Sequence, residues 1–196
     1  MSVELRSMRL EDVDAVTSVH VAAFPGFFLS FLGRRFLREL YCAIVADPGG
    51  IAFVAVDGEM ILGFVAGTSN GGFYRRAARG RWLRFALASI GAFVRRPAIL
   101  PRLLRALYAP PSISREGAVL MSLAVDPGAQ RGGMGTSLTE AFVDGARQRG
   151  ASAVLLSTDK TGNDRVNAFY QAQGFALSDA YVTPEGRAMN EYILYI

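Results

Sequence analysis

Apolar and polar positions along this chain change period several times, and each change marks an element. Val3 to Met8 alternates and reads as an edge strand. Glu11 to Phe24 and Gly33 to Val45 repeat apolar residues at three and four positions, which predicts two helices. Ile51 to Val56 and Met60 to Gly67 are short apolar runs joined by Asp57-Gly58-Glu59, the signal of a hairpin. Ala118 to Val125 is another apolar strand, followed by a helical pattern from Ser137 to Arg149. Ala153 to Ser157 reads as a strand and Asn163 to Gln173 as a helix. Phe175 to Val182 and Met189 to Tyr195 read as a closing pair, the last exposed enough to join two subunits.

The junction between the Ala118 strand and the next helix is glycine-rich: Gln130-Arg131-Gly132-Gly133-Met134-Gly135-Thr136. Strand, glycine turn and helix together suit a phosphate. Glycine lets the backbone approach closely, and the helix N-terminus offers unpaired N–H donors and partial positive charge. Three patterns compete. A P-loop requires Gly-Lys-Ser/Thr, but Met134 stands where the lysine belongs. The dinucleotide fingerprint requires a third glycine, where Leu138 stands. Gln/Arg-x-x-Gly-x-Gly/Ala is met by Gln130, Gly133 and Gly135.

A second signature lies one strand further on, Asn163-Asp164-Arg165-Val166-Asn167-Ala168-Phe169-Tyr170-Gln171-Ala172-Gln173-Gly174-Phe175. Asn163 is a good N-cap and Gly174 a natural helix stop. Val166, Phe169, Tyr170 and Gln173 share a helical face.

These two motifs, in this order, resemble the GNAT superfamily of acyl-CoA N-acyltransferases. The predicted element order is similar to that family's over the whole chain. The resemblance implies one domain over residues 1–196, of α/β (α+β sandwich) class. Its central sheet would be mixed and mostly antiparallel, with flanking helices and one splayed parallel pair that admits the cofactor. It implies acetyl-CoA as cosubstrate, with no metal, and transfer of the acetyl group to an amine by direct attack on the thioester. Leu123, Ala124 and Val125 would lie along the pantetheine arm. Gln130, Arg131, Gly132, Gly133, Met134, Gly135 and Thr136 would hold the pyrophosphate, with Asn163, Asn167 and Phe169 as further cofactor contacts. Tyr170 matches the family's proton donor to the departing sulfur. A phenol is protonated at neutral pH, so it can donate.

The general base has no such match. Gly117 to Val125 contains no acid, and Ser122 is its one polar side chain. His20, in the first helix beside Phe24-Pro25-Gly26-Phe27-Phe28, is the leading candidate because imidazole titrates near neutrality. Tyr41, Tyr74, Glu116 or a water chain are the others. The segment from His20 to Leu37 also resembles a bacterial GNAT subgroup linked loosely to polysaccharide and amino-sugar pathways. An amino sugar or nucleotide sugar is therefore the expected acceptor. A CoA-binding module without turnover is the reading from another class, motivated by the missing strand carboxylate.

Composition modifies this picture in two places. The 196 residues are 51% hydrophobic, enough for one sizeable core. One histidine and one cysteine make no metal cluster, and Cys42, flanked by Tyr41, Ala43 and Ile44, reads as a core thiol. The beginning, Met-Ser-Val-Glu-Leu-Arg, lacks an apolar leader, and a reducing, cytoplasmic setting is expected. The net charge of +4 is local. Residues 73–115 hold ten arginines and no acid, against 11 basic and 17 acidic side chains elsewhere.

That basic insertion reads as a helix over Arg81 to Val94 and a second over Ile99 to Tyr108. Three roles remain open for it: a helical cover with solvated arginines, an anionic acceptor site, or a membrane-surface element over residues 81–108. The last would make a peripheral acetyltransferase acting on a lipid-linked sugar. No nucleic-acid motif accompanies the arginines. Either a monomer or a homodimer is compatible with the sequence.

Overall fold

The computed structural model describes residues 3–69, 73–95, 117–129 and 133–196. Strand β1 (Glu4–Ser7) leads through a 3-10 turn at Leu10–Asp12 into α1 (Val13–Ala23). Two further helices follow, α2 (Phe28–Leu32) and α3 (Arg34–Ala46). The hairpin of β2 (Gly50–Asp57) and β3 (Met60–Thr68) precedes α4 (Phe73–Arg95). Strand β4 (Ala118–Val125), α5 (Met134–Arg147) and β5 (Ala153–Asp159) form a parallel crossover unit. Helix α6 (Asp164–Ala172) then leads to β6 (Ala176–Val182) and β7 (Ala188–Tyr195).

All seven strands join one sheet in the order β1-β2-β3-β4-β5-β7-β6. Every neighbouring pair is antiparallel except β4 and β5. Two apolar cores cover the two faces. On one, α1, α2, α3 and α4 pack Val16, Leu37, Tyr41 and Phe85 against Val54, Phe64 and Ala124. On the other, α5 presents Met134, Leu138, Phe142 and Ala146 to Ala55, Val65 and Leu156. These α5 positions recur every four residues, so one stripe is buried. Each fully buried Leu or Phe stabilises the fold by about 1.5–3 kcal/mol.

The sheet confirms the mixed, mostly antiparallel class. Several boundaries differ from the sequence pattern. Helix α2 falls where the pattern shows only a turn, because one and a half turns carry too few positions to show a period. Helix α4 begins eight residues before Arg81, running through Gly80. The expected helix over 99–108 lies outside the described residues.

The exposed closing strand is a correction. Strand β7 sits between β5 and β6 and is paired along both sides, so it has no free edge for a second subunit. Chain order made it last; register makes it interior. Among the described residues the outer strands are β1 and β6.

Candidate active site

The parallel pair carries the central feature. Strands β4 and β5 pair only at Ala118↔Val154 and Val119↔Leu155. Beyond that point β4 stays with β3 as far as Val125, and β5 stays with β7 as far as Asp159. The two strands therefore diverge. Among the described residues, the edge of β4 from Leu120 onward has no ladder partner on its β5 side. A cavity of about 740 Å³ occupies the opening. It is bounded by Leu120 to Val125 of β4, Leu156 to Asp159 of β5, and the N-terminal turns of α5 and α6. The C-terminal part of α1, α2 and the start of β7 close its other side.

Gly133, Met134, Gly135 and Thr136 line one end. Gly133 caps α5 with φ of 76°, in the left-handed region where a side chain is strained. A Cβ there would meet nothing within 4 Å, so the space above it is open. The first intrahelical bond runs from the Ser137 N–H to the Gly133 carbonyl. The N–H groups of Met134, Gly135 and Thr136 therefore lack helical acceptors. Met134 contributes backbone here, since its side chain packs into the core under α5. The expected phosphate contacts at Gln130, Arg131 and Gly132 lie outside the described residues.

Helix α6 forms the adjoining wall through Asn163, Arg165, Val166, Phe169 and Tyr170. It ends at Gly174, φ 86°, with the Phe175 N–H donating to the Tyr170 carbonyl and the Gly174 N–H to that of Gln171. This is a Schellman closure. Tyr170 is 7% exposed and packs against Phe169, Phe175 and Tyr192. Burial pushes its phenol pKa up, which keeps it protonated. Its hydroxyl has no hydrogen-bond partner among the described residues.

Two asparagines behave differently from the motif reading. Asn163 occupies the N-cap position without a side-chain cap; its amide donates to Thr158 Oγ1 and the Asp159 carbonyl. It still lines the cavity. Asn167 does not. Its Nδ2 donates to the carbonyls of Asp159 and Asn163, and its Oδ1 accepts from Asn190 and Tyr192. The expected cofactor contact at Asn167 is thus replaced by a structural one that ties α6 to β5 and β7.

The opposite end of the cavity is built on α1. Val13, Val16, Thr17 and His20 share its buried face. His20 is 3% exposed and surrounded by Phe24, Tyr41 and Phe64. Its Nδ1 and the Tyr41 hydroxyl are 2.6 Å apart. Its Nε2 is buried without a partner among the described residues. Burial lowers the His20 pKa to about 4, outweighing the attraction a helix C-terminus offers imidazolium. Tyr41 is fully buried, which raises its pKa, while a hydrogen bond with Ser122 acts in the other direction. His20, Tyr41 and Ser122 thus connect α1, α3 and β4. Of the other base candidates, Glu116 lies outside the described residues, and α4 carries Tyr74 at its second position.

Three polar residues at this end gave no signal in the sequence. Ser157 and Asp159 lie two apart on β5 and so share a face. The Ser157 hydroxyl is buried without a partner among the described residues. Asp159 accepts from Arg187 Nε at 3.1 Å and Nη2 at 2.7 Å. The Arg187 guanidinium lies 5.8 Å from the centroid of the Phe27 ring. Asp159 and Arg187 are separated by 28 residues, and only the β5–β7 register, Asp159↔Met189, brings them together.

Solved structures share this fold over nearly the whole chain. A putative GNAT-family acetyltransferase from Desulfovibrio desulfuricans matches with a TM-score of 0.66 at 18% identity, covering 99% of each chain. PaiA N-acetyltransferase from Thermoplasma acidophilum, solved in complex with coenzyme A, gives 0.63 at 14% identity, covering 97% of this chain and 98% of that one. The ribosomal-protein-S18-alanine N-acetyltransferase from Escherichia coli gives 0.61 at 16%, covering 100% of this chain and 94% of that one. At these identities the likeness defines a class of fold, one shared with acetyltransferases. No curated protein matches the sequence. The model of the acetyltransferase (GNAT) family matches residues 14–175, and the chain belongs to that family.

Proposed function

We propose that this chain transfers the acetyl group of acetyl-CoA to the amine of a small molecule. One observation carries the reading: one cavity is lined by the N-terminal turn of α5 and by His20, whose Nε2 is buried without a partner among the described residues, and the β5-facing edge of β4 lies along it. The thioester substrate fits that geometry. Its pyrophosphate suits the N–H groups following Gly133. Its pantetheine amides suit the β4 edge at Leu123, Ala124 and Val125, acting as a short false strand. Phe169 supplies an apolar wall. The coenzyme A in the Thermoplasma PaiA complex supports the same choice of donor.

The amine lone pair attacks the thioester carbonyl carbon, and negative charge moves to oxygen. The N–H of Leu123 or Ala124 stabilises that charge. The C–S bond then breaks and the Tyr170 hydroxyl protonates the leaving sulfur. The amine gives up one proton to His20 Nε2, and that proton restores Tyr170 through solvent. The products are an amide and CoA thiol. The base role requires the tautomer in which His20 Nδ1–H donates to the Tyr41 hydroxyl, which leaves Nε2 as the acceptor. Burial keeps Nε2 unprotonated at neutral pH.

An amino sugar or nucleotide sugar is the acceptor class in this reading, supported by the sequence likeness around His20 to Leu37. Thiol release with acetyl-CoA across a panel of amines tests the activity. Tyr170→Phe should lower kcat about tenfold or more, with the KM for acetyl-CoA little changed. Calorimetric binding of acetyl-CoA without thiol release from any amine would favour a module that binds but does not turn over.

A further inference from the structure

We propose that Arg187 reads an anionic group, a carboxylate or phosphate, carried by the acceptor amine. This rests on the acetyltransferase reading of the cavity and extends it to the acceptor.

Arg187 is fixed on three sides. Its Nε and Nη2 are held by the Asp159 carboxylate, its backbone N–H donates to Thr183 Oγ1, and its guanidinium faces the Phe27 ring. These contacts leave Nη1, with two N–H donors, unpartnered among the described residues. A planar guanidinium anchored on one edge presents its free edge without further loss of rotamer freedom. That free edge suits a carboxylate or phosphate oxygen.

The position sets what it can reach. Arg187, Asp159 and Phe27 line the cavity, and the Phe27 ring adjoins Phe24, which adjoins His20. The buried Ser157 hydroxyl, on the same face of β5 as Asp159, is the second unpartnered polar group there besides His20 Nε2. A small acceptor lying on Phe24 and Phe27 could place its amine toward His20 and its anionic group toward Arg187. Asp159 keeps the arginine in place and balances its charge. A bare hydrocarbon amine would leave Nη1 and Ser157 unsatisfied, at a cost in affinity.

Binding in the presence of CoA tests this without relying on turnover. Matched pairs are titrated calorimetrically: phenethylamine against phenylalanine, and glucosamine against glucosamine 6-phosphate. The anionic member of at least one pair should bind about 10- to 100-fold more tightly, the range for one charged hydrogen bond. The pair that shows the preference distinguishes carboxylate from phosphate. Arg187→Gln should erase the preference while leaving CoA affinity unchanged, and Arg187→Lys should restore part of it. Equal binding within both pairs, no binding of any of the four at millimolar concentration, or a preference that survives Arg187→Gln would each overturn the proposal. Thiol release is measured separately. Its absence alongside a preference that depends on Arg187 would count against turnover and leave acceptor recognition standing.

Discussion

The two ends of the cavity are built by different means. The Gly133 end uses backbone: helix N–H groups and the unpaired edge of a strand, with glycines where side chains would intrude. The His20 end uses side chains from α1, α2, β5 and the turn before β7, with Tyr41 of α3 bonded to His20, assembled from positions as distant as 20 and 187. Backbone recognition leaves a compact mark on the sequence, because only certain residue types allow the geometry. Side-chain recognition leaves almost none, because its members are scattered.

The contrast can be broken most sharply at Gly133. In Gly133→Glu a carboxylate would enter the space above the α5 N-terminus, on a residue with positive φ. Acetyl-CoA affinity should fall at least about 100-fold by calorimetry, through repulsion and backbone strain together. Retained affinity would mean that the backbone end does not hold the donor.

The side-chain end is tested by acid. His20 has a folded pKa of about 4 against 6.5 unfolded. The unfolded chain therefore binds the proton first. Stability is unaffected above pH 6.5, declines as pH falls through the window between 6.5 and 4, and is lower by on the order of 3 kcal/mol below it. His20→Gln, which keeps a neutral partner for Tyr41, should lose less stability over that window in chemical denaturation at stepped pH. Parallel loss in both proteins would show that His20 is not held neutral by burial.

Asn167 is the smallest and most discriminating case, because its motif and its hydrogen bonds assign it different roles. Asn167→Ala would strand the Asn190 amide and the Tyr192 hydroxyl. A stability loss of about 2–3 kcal/mol is expected, with CoA affinity nearly unchanged. The reverse outcome, affinity lost and melting temperature kept, would restore the cofactor contact that the motif suggested.

These differences explain what could be read from the chain alone. Strand β4 matches its apolar run from Ala118 to Val125, and Gly174 ends α6 where the glycine predicts. Such features obey local rules. Asn163 looked like a capping residue and Asn167 like a ligand, yet both serve neighbouring strands, which no local pattern reveals. The interior place of β7 and the meeting of Asp159 with Arg187 depend on register between distant segments. His20 was visible only as the sole imidazole; its pairing with Tyr41 required α1 to lie across α3.

The brief contact between β4 and β5 has a mechanical consequence. Four strands stand on one side of it and three on the other, and two residue pairs form the parallel ladder that joins them. The sheet is two rafts hinged at one corner. A ligand lying along the β4 edge would replace the missing rungs and couple the rafts, so amides from Leu120 to Val125 would exchange with solvent far more slowly once it is bound.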